Sequence, residues 1–302
     1  MTAWPLVALV GPTAAGKSTL AMALARRHAD LELICADAMQ VYRGMDIGTA
    51  KPTAAERRVV AHHGIDLVDP HEAFTVAQYR AVAAGAVADI AGRGRRAVLV
   101  GGTGLYVRTV IDHLEPPGEW PDERAALEAD RDTAGLYARL RDADPLAASR
   151  MTPHNRRRII RALEVCQGSG RPFSSFGPGL DAYPPSDVVQ VGLRVPRDVL
   201  AEHIERRVQR MLANGLLAEV RELAARPGGL SRTAAQALGY KELLEHLGGR
   251  CSLEEASATI VQRTRRFAAR QQRWFRRDPR IRWVDVDDDP LVALDELERA
   301  LA

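Results

Sequence analysis

The sequence predicts an α/β fold: a parallel sheet flanked by helices, interrupted by a helical insertion. Three observations point there. Short continuous apolar runs recur at 5–10, 31–36, 97–100 and 188–195, as expected of strands buried on both faces. Helix-patterned stretches separate the early runs, and strand–helix–strand alternation implies right-handed parallel crossovers. From about residue 116 to 185 the chain instead reads as polar, arginine-rich and helical.

The first strand, Pro5 to Val10, ends at Gly11, and residues 18–29 continue as a helix rich in Ala and Leu. Leu31 to Ala36 makes the second strand. Thr75-Val-Ala-Gln78 has capping-box spacing and opens a helix through about Ile90, ahead of the strand at Ala97 to Val100. Glu115-Pro-Pro-Gly118 and Trp120-Pro121 then punctuate the chain, as do Gly168-Ser-Gly170, Gly177-Pro-Gly179 and Pro184-Pro185. The insertion is therefore placed at 116–185, with 1–115 and 186–302 forming the core. Two long helices follow the strand at Val188 to Val195. One spans 199–226, where Leu200, Ile204, Val208, Met211 and Leu212 form a stripe suited to core packing. The other spans 253–277 behind a Ser252-x-x-Glu255 capping box, with Ile260, Phe267 and Trp274 on its apolar face. Arg263, Arg266, Arg270, Arg273 and Arg277 run along a neighbouring face, either as a solvated row or as phosphate contacts.

Composition narrows the class. The 302 residues are 46% hydrophobic and 27% charged, which excludes a disordered tail, a disulfide-stapled miniprotein and a collagen-like rod. Net charge is +3, yet only three of the 42 basic residues are lysine: Lys17, Lys51 and Lys241. Cys35, Cys166 and Cys251 are odd in number and far apart, with no Cys-x-x-Cys pair, which fits a reducing compartment. No apolar run approaches the ~20 residues of a membrane span, and no basic region precedes the first apolar stretch. A cytoplasmic protein without membrane attachment is expected.

The chemistry begins at Gly11-Pro12-Thr13-Ala14-Ala15-Gly16-Lys17-Ser18, which satisfies G-x-x-x-x-G-K-[ST] straight after a buried strand and at the start of a helix. Such a loop turns its backbone N–H groups inward, the helix dipole adds positive charge, Lys17 reaches a phosphate and Ser18 can hold Mg²⁺. The core is thus of the P-loop NTPase kind and binds a di- or triphosphate-like group. An ATPase would place an acid after an apolar strand, but Val98-Leu-Val100 leads into Gly101-Gly-Thr-Gly104. The strand at Leu31 to Ala36 does end in an acid, Asp37. At the carboxyl edge of the sheet it is placed to act as general base on an incoming nucleophile, with an N-cap or a loop ion pair as its other reading.

Six ordered motifs carry a resemblance. Asp37-Ala-Met-Gln-Val-Tyr-Arg43, Asp46-Ile-Gly-Thr-Ala-Lys51-Pro52, Gly101-Gly-Thr-Gly-Leu-Tyr106, Arg161-Ala-Leu-Glu-Val165, Leu238-Gly-Tyr-Lys-Glu242, and Arg270-Gln271 with Trp274-Phe-Arg276 are similar to signatures of the tRNA dimethylallyltransferase (tRNA isopentenyltransferase) family. The resemblance runs from about residue 6 to 277. It implies transfer of a dimethylallyl group from its diphosphate to the exocyclic amine of the adenine on the 3′ side of the anticodon. By this resemblance the phosphate loop holds the donor diphosphate, and Lys17, Ser18, Thr13 and Mg²⁺ stabilise the leaving group. Asp37 accepts or orients the amine proton, Thr103 lies near the reacting centre, and Arg207 contacts the diphosphate. The base is flipped out and held by Asp37, Ala38, Met39 and Gln40. Further tRNA contacts fall to Arg124 and to Arg157, Arg158, Ile159, Ile160 and Arg161. Two positions depart from the family pattern: Ala38 where many members carry Ser, and Arg157 where Gln is usual. No Cys/His zinc module of the eukaryotic kind follows the arginine helix, so the likeness is to the bacterial form. The expected partners are tRNA, through its anticodon stem-loop, and dimethylallyl diphosphate; a monomer is expected.

Competing readings share the loop. An isopentenyltransferase acting on free AMP, ADP or ATP would have no use for the arginine-rich insertion. A P-loop small-molecule kinase would consume ATP. A non-catalytic nucleotide switch or RNA-binding module would bind tRNA in a salt-dependent way without forming product.

Overall fold

The computed structural model describes residues 6–177 and 179–301. Pro5, where the first strand was expected to begin, and Pro178 of the Gly-Pro-Gly break lie outside them. Two compact units divide the chain: one runs through Ile111 and resumes at Pro185, the other is Asp112–Pro184. That boundary lies within four residues of the 116–185 read from the proline and glycine punctuation.

In the larger unit β1 (Leu6–Val10), α1 (Lys17–Arg27), β2 (Leu31–Ala36), α2 (Ala54–Val59), β3 (His62–His63), α3 (Val76–Gly92), β4 (Arg96–Gly101) and α4 (Gly104–Ile111) precede the insertion. The sheet order is β3-β2-β4-β1-β5-β6, where β5 is Val189–Arg194 and β6 is Ile281–Asp285, and every pairing is parallel. β1 is buried along its whole length, as a central strand covered on both faces must be. Register decides what matters for function. Val10 pairs with Gly101, and Gly101 with Ala36, so β1, β4 and β2 end level and their following loops leave one carboxyl edge together.

The helices confirm two capping boxes and correct one long helix. Thr75 and Gln78 exchange both bonds at the start of α3, and Ser252 and Glu255 do so for α12 (Leu253–Phe275). The stretch expected as one helix over 199–226 is two, α9 (Arg197–Ala213) and α10 (Leu216–Ala225). Gly215, at φ 98°, takes a left-handed conformation that ends the helical path. The apolar stripe persists across the break, which is why periodicity alone read straight through it. α11 (Tyr240–Leu247) and α13 (Leu294–Leu301) complete the larger unit.

The smaller unit is helical: α5 (Pro121–Ala129), α6 (Thr133–Ala143), α7 (Pro145–Ser149) and α8 (Arg156–Ser169). Its own core gathers Leu127, Leu136, Leu140, Ile159, Ile160 and Leu163. No helix among the described residues is long and apolar enough to cross a membrane.

Candidate active site

The loop between β1 and α1 is held in shape from outside itself. Thr13 N–H donates to Gln271 Oε1 at 2.8 Å, and Gln271 Nε2 donates to Gly102 O at 2.9 Å. One buried amide on α12 therefore ties the loop after β1 to the loop after β4. His203 on α9 shares hydrogen bonds with Ala14 O at 3.3 Å and Asp288 Oδ1 at 2.9 Å. Ala14 itself sits at φ 65°, a strained conformation of the sort that concentrates at functional sites. Lys17, the first residue of α1, folds back on the loop, its ammonium donating to the carbonyls of Gly11 (3.0 Å) and Pro12 (2.7 Å).

A cleft of about 1720 Å³ opens along this edge, lined by Thr13 to Thr19, Cys35, Asp37, Gln40, Gly101, Gly102, Arg207 and Gln271 among others. It exceeds the ~300–1,000 Å³ of an ordinary ligand pocket, so it has room for two substrate groups at once. Its floor is electropositive. Burial first, then the neighbouring Arg207 guanidinium, pushes the Lys17 ammonium down to about 8, while Asp37 opposes the shift. Burial likewise lowers Arg207, again with Asp37 opposing. Two cations that destabilise each other, beside a helix N-terminus and next to one carboxylate, are arranged for a polyanion.

Asp37 caps no helix. Its Oδ1 accepts the Met39 N–H at 2.8 Å, which closes a tight turn straight after β2. Thr103 stands beside it. The Thr103 N–H donates to Ala36 O at 3.1 Å, and its Oγ1 accepts the Ala38 N–H at 3.1 Å, leaving the hydroxyl proton available to donate. Gln40 is buried, and its amide is engaged within the chain: Nε2 donates to Thr49 O (3.0 Å) and Ala50 O (3.3 Å), while Oε1 accepts the Cys35 thiol at 2.9 Å. The structure thus brings Lys17, Ser18, Asp37 and Arg207 to one cleft, with Thr103 hydrogen-bonded to the turn behind Asp37.

In the smaller unit the arginine-rich stretch separates into two populations. Arg156 donates to the carbonyls of Leu127, Glu128 and Asp130 and to Thr133 Oγ1. Arg161 pairs with buried Glu164 at 2.6 Å and donates to the carbonyls of Pro117 and Gly118. Arg124 also turns inward, 3.0 Å from Glu128 and 3.6 Å from Glu164. Ile159 and Ile160 are core residues. Arg157 and Arg158 alone among these are exposed, and among the described residues neither side chain has a hydrogen bond or ion pair. Along and just beyond α12, Arg263 pairs with buried Glu242 at 2.6 Å, while Arg270 and Arg277 lie 5.7 Å from the ring centroids of Phe267 and Trp274.

Sequence reasoning gave Gln271 no role beyond a motif match, and it overlooked His203 and Glu219. An uncharged amide in an arginine-dense helix was the available signal for Gln271. His203 and Glu219 offered none, because their partners include backbone groups remote in sequence.

The chain matches the family model described as IPP transferase over residues 40–278, and that described as isopentenyl transferase over residues 5–63. The tRNA dimethylallyltransferase of Kineococcus radiotolerans is 50% identical over 297 residues, covering 95% of this chain and 93% of that one. That of Pseudarthrobacter chlorophenolicus is 50% identical over 292 residues, covering 96% of each. Among solved structures, the tRNA isopentenylpyrophosphate transferase of Bacillus halodurans matches with a TM-score of 0.71 at 40% identity, covering 98% of this chain and 96% of that one. A eukaryotic dimethylallyltransferase acting on tRNA matches with a TM-score of 0.80 at 26% identity, covering 98% of this chain and 78% of that one. A family model that spans most of the chain, and relatives half identical along nearly all of it, carry one conclusion: the chain belongs to the tRNA dimethylallyltransferase (IPP transferase) family.

Proposed function

We propose that this chain transfers a dimethylallyl group from dimethylallyl diphosphate to the exocyclic amine of the adenine 3′-adjacent to the anticodon, releasing diphosphate. Membership of the family makes it a prenyl-transferring enzyme whose acceptor is tRNA; the donor, the acceptor atom and the residue roles are the finer reading. One observation carries it. Lys17, Arg207 and Asp37 line a single cleft at the carboxyl edge of the sheet, so a diphosphate and an acceptor amine can meet there.

In the reaction a bond forms between the adenine nitrogen and the first prenyl carbon while the carbon–oxygen bond to the diphosphate breaks. Negative charge grows on the leaving group, and Lys17, Arg207 and the N–H groups at the start of α1 are the chain's own means of meeting it. The nitrogen must lose a proton, and Asp37 is the carboxylate that takes or orients it. Thr103, through Ala38, holds the turn that carries Asp37. An exocyclic amine is a weak nucleophile, so holding it against the donor supplies much of the rate. The exposed Ser18 hydroxyl in the first turn of α1, with Asp37 across the cleft, is a hard oxygen donor set. It fits Mg²⁺ held mainly by substrate phosphate oxygens and water. When bound, the ion would add charge neutralisation at the diphosphate. The exposed pair Arg157 and Arg158 suits phosphate contact with the acceptor tRNA.

The test is mass spectrometry of unmodified tRNA after incubation with the protein, Mg²⁺ and dimethylallyl diphosphate, with AMP and ATP in parallel tubes. One prenyl group on the adenine beside the anticodon is the expected product. A prenylated free nucleotide, or consumption of ATP, would replace this reading with another.

A further inference from the structure

The segment Asp46–Lys51, in the long connection after β2, is pinned from two sides. On one side Glu219 of α10 accepts three successive backbone N–H groups, from Asp46 (3.0 Å), Ile47 (2.7 Å) and Gly48 (3.2 Å), and the Tyr240 hydroxyl at 2.5 Å. Among the described residues no cation pairs with this carboxylate, so its charge is met by N–H and O–H dipoles alone. The buried Tyr240 ring lies so close to Gly48 that a Cβ there would stand 2.4 Å from a ring carbon, and only glycine leaves room. On the other side Lys51, its side chain fully buried, donates to Tyr42 O (2.6 Å) and Asp66 Oδ1 (2.7 Å) and pairs with Asp46 at 2.7 Å.

A segment held this way presents its carbonyls in one arrangement. Those of Thr49 and Ala50 receive both bonds from Gln40 Nε2. Gln40 ends the short turn that Asp37 begins, and Asp37 closes that turn on Met39. Hydrogen bonds and a short stretch of backbone therefore run unbroken from Glu219 to Asp37.

We infer that Glu219 is a positioning residue for prenyl transfer: by setting the 46–48 amides it fixes, through Thr49, Ala50 and Gln40, the turn that aims Asp37. The inference rests on Asp37 being the group that faces the acceptor amine. Glu219 takes no part in holding the donor, since the phosphate loop is supported independently by Gln271 and His203.

The experiment compares wild type with Glu219→Gln, which keeps the shape but turns amide hydrogens toward the 46–48 N–H groups, and with Tyr240→Phe, which removes one of the four donors. Hydrogen exchange is followed at Asp46, Ile47 and Gly48, at Ala38 and Met39, and at Thr13. Single-turnover transfer from dimethylallyl diphosphate to tRNA and calorimetric binding of inorganic pyrophosphate are measured on the same proteins. In Glu219→Gln, exchange should rise together at 46–48 and at 38–39 while Thr13 is unmoved. The single-turnover rate should fall about 10- to 100-fold, as displacement of a reacting group does. Pyrophosphate affinity should stay within about twofold, and Glu219→Gln should slow a Gln40→Met protein by no more than about twofold further, since both act on one path. Tyr240→Phe should show the same pattern more weakly, and it carries the comparison if Glu219→Gln does not fold. Unchanged protection at Ala38 and Met39, rate losses that multiply in the double variant, or parallel loss of pyrophosphate binding would each overturn the inference. A wild type that makes no prenylated tRNA would instead remove the role given to Asp37, and the inference with it.

Discussion

Lys17 and Asp37 follow different strands that are not neighbours in the sheet, since β4 lies between β1 and β2. They line one cleft because all three strands end at the same level. The separate duties proposed for them make separable predictions. Asp37→Ala should leave tRNA binding in place and lower turnover about 10²- to 10⁴-fold, the usual worth of a positioned acid or base. Unchanged turnover with Asp37→Ala would dismiss the proton-handling role. Lys17→Ala should instead weaken pyrophosphate binding and slow transfer together, because its ammonium is proposed to serve the diphosphate in both the bound and the reacting states. Binding by calorimetry and single-turnover rates distinguish the two patterns. Both residues were legible in the sequence. The loop motif is local, and an acid directly after an apolar run announces itself. The internal engagement of Gln40 and Arg161 was not legible, because it depends on the Thr49, Ala50, Pro117 and Gly118 carbonyls, which no residue type reveals.

Elements are joined by a second set of charges, placed toward the amino end of β2. Glu32 is buried there and receives Arg93, Arg95 and His63, which ties β2 to the end of α3, the start of β4 and β3. Hydrogen bonds from Arg93 pull its carboxyl down from 4.5 to about 2; burial opposes this, and His63 adds to it. A lowered carboxylate pKa contributes stability that is present above the unfolded value and lost as pH falls through the folded one. The contribution should therefore fade between pH 4.5 and about 2. Thermal melts should show Glu32→Gln below wild type at pH 7, with the gap closing as pH drops below 4.5. A gap that ignores pH would mean the charge is irrelevant. Element reading from sequence succeeded where caps mark boundaries, at Thr75 and Ser252. It failed at Gly215, where a left-handed glycine splits a continuous apolar stripe. β3, two residues long, is too brief for any periodicity to show, and β6 went unread although it is five residues long.

At the scale of the whole molecule the proposed function assigns the donor to the larger unit and tRNA phosphate contact to the smaller. The larger holds the cleft; the smaller presents Arg157 and Arg158 on the first turn of α8, with no side-chain partner among the described residues. Replacing both with Glu should raise the apparent KM for tRNA and leave that for the prenyl donor unchanged. The slope of log affinity against log salt should shrink by about one unit for each phosphate no longer neutralised. If neither KM nor slope moves, tRNA is bound elsewhere.

What the sequence determined by itself was encoded by neighbours in the chain: buried strands from apolar runs, helix starts from the capping pairs at Thr75 and Ser252, the loop from its glycines and lysine, and the insertion from its prolines and texture. Ordered motifs along nearly the whole length added the family. Tertiary structure alone decided which side chains serve the cleft and which serve the scaffold. It turned Arg156, Arg161 and Arg124 inward, gave Gln271 two loops to hold, and set Glu219 beneath the 46–48 amides. The physical reason is that buried donors and acceptors must be satisfied. In each of these cases a partner lies far along the chain, and its position exists only after folding.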